Sequence, residues 1–282
     1  MSLIDPLRVT TRTPIWVHPL LWRLDHLDAF HISISTAIVE TAENPRKDGR
    51  PTIVGHGFIG SRDLRYILQD INLLETYLAS FIARTINSFQ KALKPRPFRF
   101  YSQDQRPKPP SPLFTFLNHV MQIHPELVIR TRKGFPFLIY NCPGTIYTLR
   151  QNFTNTRAGT DIEWLLKQTV VKLDFKLEVV DPYNVAAVLA IAQEQHSWFC
   201  RSSLTPPKIL KVHLITPHPT LAAVYFYTAE VPLWYLRALM DPYLKVAGKV
   251  QVLKELVQLP VPPASGQAVI TTGPFLESSI LR

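Results

Sequence analysis

Glycine is scarce in this chain, at 10 of 282 residues, and neither GxGxxG nor GxxxxGK[ST] occurs. That argues against a fold built around a glycine-rich loop cradling nucleotide phosphates. Cysteine is scarcer. Cys142 and Cys200 cannot form a disulfide framework and have no metal-ligand spacing, so each is expected to be a small buried hydrophobe in a reducing compartment. There is no CxxC, HExxH or EF-hand pattern, and no metal or other cofactor is expected. No stretch approaches the roughly 18 apolar residues of a spanning helix, so no membrane partner is expected. The segment Met1 to Pro6 does not read as a secretory leader. The expected location is intracellular, cytoplasmic or nuclear. Carboxylates are also few, 21 against 31 lysines and arginines.

Apolar residues make up 46% of the chain, enough for a packed interior. The 25 prolines imply long surface connections and abrupt element ends. The net charge is +10 at pH 7, and it is uneven. From Lys91 to Lys133, nine basic residues stand against Asp104 and Glu126 alone, with Phe98, Phe100 and Tyr101 interleaved. Concentrated cations with aromatics suit RNA or another polyanion, through counterion release and stacking. The candidate contacts are Lys94, Arg96, Arg99, Lys108, Arg130, Arg132 and Lys133.

Apolar spacing predicts a strand from His31 to Val39, then a long helix over 62–93 ending at Lys94-Pro95. That helix reads either as a core element or as the docking surface for a protein partner. A basic, proline-rich connection, 94–112, carries a short strand at Phe98 to Tyr101. Ser111-Pro112 is expected to open a helix to about His124, using serine as cap and proline at the first helical position. A hairpin follows, Leu127 to Thr131 and Phe135 to Tyr140, turning at Lys133-Gly134. Thr160 to Glu163 reads as a capping box, Val170 to Val180 as a strand, and Asp181-Pro182 as a helix start. A second hairpin runs from Ile209 to Thr216 and from Leu221 to Thr228. Leu233 to Val257 is read as helical, broken at Asp241-Pro242. The expected architecture is α+β: a mostly antiparallel sheet with helices packed on one side, two-lobed, in a single domain over 1–258 with an extended tail over 259–282.

Two segments share a pattern, His31-Ile32-Ser33-Ile34 and His218-Pro219-Thr220-Leu221. On a strand, residues i and i+2 share a face, so each would aim an imidazole and a hydroxyl into one cleft. Two histidines in opposite protonation states suit acid–base work at a phosphate, and hydroxyls suit its oxygens. The pattern resembles the 2H phosphoesterases. That resemblance implies a metal-independent phosphodiesterase acting on RNA ends or cyclic phosphates, with His31 and His218 as the acid–base pair. Ser33 and Thr220 would hold the phosphate. The alternative is a non-catalytic nucleic-acid-binding or assembly protein, an RNP subunit or a viral accessory factor. Two further patterns would imply Mg²⁺ chemistry. Trp22 to His26 with Gly49 to Pro51 resembles parts of a DDE transposase core, but Phe58 stands where a metal-binding aspartate is needed. Asp161 with Asp174-Phe175-Lys176 resembles a PD-(D/E)xK nuclease; the latter run, within the series Lys172, Asp174, Lys176 and Glu178, reads more simply as a solvated strand face.

Overall fold

The computed structural model describes residues 18–37, 98–102, 111–117, 119–131, 133–156, 168, 180–218, 223–241 and 243–258. Strand β7 (Ile209–Pro217) shows how the alternation of its side chains builds the sheet. Leu210, Val212, Leu214 and Thr216 are buried on one face, while Lys211 is exposed and His213 half-buried on the other. Antiparallel β8 (Ala223–Pro232) continues the inner face, placing Tyr227, Ala229 and Val231 opposite Leu214, Val212 and Leu210. Next comes β9 (Val250–Gln258), which adds Val250, Val252 and Lys254. Strand β1 (Ile32–Ala37) then lies parallel to β9, with Ile32 beside Val250.

On the other flank, β6 (Pro136–Tyr140) is parallel to β7, and β5 (Leu127–Thr131) and β2 (Phe98–Ser102) follow antiparallel. The result is a seven-stranded mixed sheet of order β1-β9-β8-β7-β6-β5-β2. Four of its six pairings are antiparallel. Leu127, Ile129, Leu138, Tyr140, Ile215 and Phe226 are buried on the face turned away from the helices described next.

The described helices pack on the inner face. Two of them, α2 (Pro143–Asn155) and α3 (Pro182–Arg201), lie in the crossover that parallel strands β6 and β7 require. Every residue from Pro182 to Ala192 is buried, so the first three turns of α3 are enclosed on all sides. The Asp181 carboxylate accepts the Tyr183 N–H at 2.9 Å and Pro182 takes the first helical position, which fixes where α3 starts. The Asn141 side chain donates to Asn184 at 2.8 Å near that start. Gln195 donates to the carbonyls of Pro136 and Lys211 at 2.7 and 3.0 Å near the other end. The helix therefore runs from the carboxyl ends of β6 and β7 back to their beginnings.

A short α1 (Leu24–Ala29) packs on β1, and α4 (Leu233–Met240) follows β8. The buried Tyr235 hydroxyl donates to the Phe30 carbonyl at 2.7 Å. A separate hairpin, β3 (Leu113–Phe116) with β4 (His119–Gln122), leans on α3. There the Gln193 amide pairs with both backbone groups of Thr115, at 2.7 and 2.9 Å. Trp22, Phe30, Phe114 and Phe116 close this layer with ring separations of 4.7 to 5.3 Å.

The expected class and mostly antiparallel sheet are present, and among the described residues the helices lie on one side; the 127–140 and 209–228 hairpins and the helix starting at Asp181-Pro182 are present too. Three expectations are corrected. Residues 111–124 form a hairpin, because Phe114 and Phe116 alternate with outward Leu113 and Thr115 and bury on α3. The helix from Leu233 ends at Met240, and Val250–Gln258 is a strand inside the sheet. Cys142 is buried, but Cys200 is exposed near the end of α3. The 62–93 helix, the 160–168 capping box, the 170–180 strand and the 259–282 tail lie outside the described residues, apart from Gln168 and Val180. No described helix is long and apolar enough to cross a membrane.

Candidate nucleic-acid interface

The strand register separates the two histidine motifs. His31 precedes β1, and its carbonyl accepts the Val250 N–H at the start of β9. His218 follows β7, and its N–H bonds to Ala223, which pairs with Gln258 at the far end of β9. Val250 and Gln258 are eight residues apart along one strand, about 26 Å at the usual rise. His31 and His218 thus occupy opposite ends of the sheet and share no cleft. His31 also has φ of +52°, so it is not in extended backbone and the shared-face rule does not link it to Ser33. Thr220 lies outside the described residues.

At the other end His218 is half-buried beside an aromatic ring and a lysine. Its ring lies 5.0 Å from that of Tyr225, and the buried Lys254 ammonium sits 3.8 Å over the Tyr225 ring centre. Burial, and then the charge of Lys254, lowers the His218 pKa below that of an ordinary histidine, which makes it a poorer cation for a phosphate. Nearby, Arg150 grips Asp181 through two 2.8 Å bonds. Among the described residues, no three His, Cys, Asp or Glu side chains gather to hold a metal ion.

The expected phosphate contacts divide. Arg130 is not available to a phosphate: it is a buried residue of β5 whose guanidinium forms a bidentate pair with Glu194 of α3, the second bond at 3.0 Å. This pair holds the sheet to the helix and leaves Arg130 unsuited to RNA. Lys133 is exposed in the β5–β6 turn, where Gly134 adopts φ of +88° and the Lys133 carbonyl accepts the Trp198 indole N–H at 3.0 Å. Arg99 lies on β2, in register with Arg130. Lys94, Arg96, Lys108 and Arg132 lie outside the described residues, as do Phe58, Asp161, Asp174 and Lys176 of the two metal-dependent patterns.

A different set of cations converges. Strands β1, β6, β7 and β9 begin, and β5 and β8 finish, at the same end of the sheet. The connections there are 132–135, 202–208 and 241–249, with α4 starting beside Lys208, whose carbonyl accepts the Leu233 N–H. They and the adjoining element ends carry exposed Lys133, Arg201, Lys208, Lys211, Arg237, Lys245 and Lys249. The exposed carboxylates described among them are fewer. Asp28 stands near His31; Asp241 accepts the Tyr243 N–H at 3.2 Å; and Glu230 is taken by Lys211 at 3.3 Å. Tyr243 projects from the last connection at 72% exposure.

No charge run marks these cations in the sequence. They come singly or in pairs from separate connections, and only the register of the strands assembles them. No protein-family model matches the chain, and no curated protein is significantly similar to it.

Proposed function

We propose that this chain is a non-catalytic RNA-binding protein that holds the phosphate backbone across the end of the sheet where β1, β6, β7 and β9 begin. The observation that supports this reading is the convergence there of Lys133, Arg201, Lys208, Arg237, Lys245 and Lys249, exposed and with few carboxylates among them. Solvated lysines and arginines gain little from pairing with one another's neighbours on a surface. Facing a polyanion, they release its condensed counterions, and that entropy drives binding. A surface assembled from several connections tracks a backbone and reads no sequence.

The test is fluorescence anisotropy of a labelled RNA oligonucleotide over a salt series. Charge reversal at Lys208, Lys245 and Lys249 together is expected to weaken binding. The slope of log affinity against log salt should flatten by about 2, at about 0.7 per lost single-strand phosphate contact. All three side chains are exposed, so the fold should survive, with circular dichroism as the check. An unchanged slope, or no RNA binding even at low salt, would overturn the proposal.

A further inference from the structure

We infer that the 241–249 connection is a stacking platform for single-stranded nucleic acid, with Tyr243 taking a base and Lys245 and Lys249 holding the phosphates on either side. This rests on the nucleic-acid reading above and narrows it to one form of ligand. Three apolar side chains stand out together here, Met240 at 54%, Tyr243 at 72% and Leu244 at 43% exposure, within a stretch whose other long side chains are cationic. Their flat and apolar surface is what a base face covers, and a ring accepts any base because every base has a π-face.

The backbone beneath the ring is already set. The Asp241 carboxylate accepts the Tyr243 N–H at 3.2 Å, and the Asp241 carbonyl accepts the Leu244 N–H at 3.0 Å. This side-chain-closed turn reduces the ordering that binding would otherwise require. Duplex is the poorer fit. Its bases are stacked on one another and offer no free face, so a protein reads it by laying a helix or ribbon in a groove. Among the described residues no helix presents a basic face for that purpose: the first three turns of α3 are enclosed and its last turn carries Arg201 alone, the Arg150 of α2 is buried against Asp181, and α4 carries Arg237 alone.

The experiment compares three labelled probes by anisotropy: a single-stranded RNA oligonucleotide, the same backbone with abasic positions, and the duplex. The abasic strand keeps every phosphate and loses the bases. The intact strand is expected to bind the wild type about 5- to 150-fold more tightly than the abasic one, the range for one stacked base. Tyr243→Ala should erase that preference while leaving the salt slope unchanged, and Tyr243→Phe should restore it. Equal binding of intact and abasic strands, a preference that survives Tyr243→Ala, or a duplex bound as tightly as the single strand would overturn the stacking platform. In those cases an intact salt slope leaves the phosphate-binding proposal standing. Failure of all three probes to bind removes both.

Discussion

His213 is held neutral inside the sheet. Its ring stacks 5.3 Å from Phe226, with Nδ1 3.2 Å from the Thr228 hydroxyl. Burial first, and then the charge of Lys211, pushes its pKa from 6.5 down to about 4. A histidine depressed in the folded state binds a proton more weakly there than in the unfolded chain. Above about pH 6.5 both states are neutral and no stability is lost. Between 6.5 and about 4 the unfolded chain takes up the proton and the fold weakens, by about 3 kcal/mol in total, and below 4 the loss is complete. Urea unfolding across this range should show the decline, and His213→Gln should remove that part of it; identical profiles for the two proteins would exclude His213 as the cause. His213 gave no sign of this in the sequence, where it is one of nine histidines. His31 misled for a related reason: a pattern of residue types does not reveal φ, and the left-handed backbone at this position breaks the alternation on which its reading relied.

Arg150 joins three pieces that local signals would leave separate. From α2 it donates to both oxygens of Asp181, the cap of α3, and its Nε donates to the Leu20 carbonyl at 2.8 Å. Arg150→Ala would leave the Asp181 carboxylate, 18% exposed, without its partner. The expected cost is about 3–5 kcal/mol, measured by urea or thermal unfolding. Arg150→Lys should recover only part of it, because an ammonium cannot bridge the same three acceptors with planar geometry. Full recovery by lysine would show that charge alone mattered. The α3 start was legible because Asp181-Pro182 is a local signal, and the 127–140 hairpin because Lys133-Gly134 marks its turn. The Ser111-Pro112 start was just as local, but burial of Phe114 and Phe116 against α3 outweighed it. In β9, Leu253 and Val257 interrupt the alternation of Val250, Val252, Lys254 and Leu256, so an interior strand resembled one side of a helix.

The net charge of +10 was legible for the molecule, but its position was not, since the converging cations are brought together by pairings between distant strands. If this surface takes RNA, binding must stabilise the fold by mass action. Oligonucleotide at about a hundredfold excess over its dissociation constant should add about 2.7 kcal/mol, raising Tm, and added salt should cancel the rise. An unchanged Tm under conditions where anisotropy reports saturation would mean that the ligand binds the unfolded chain equally well. The pairing of Ile32 with Val250 bears on how the protein is made. While the polypeptide emerges from the ribosome, β1 has no partner among the described strands until β9 is synthesised, and closing that loop spans residues 38–249. The nascent protein must therefore carry β1 without this partner while residues 38–249 are made, a period in which chaperones can engage it.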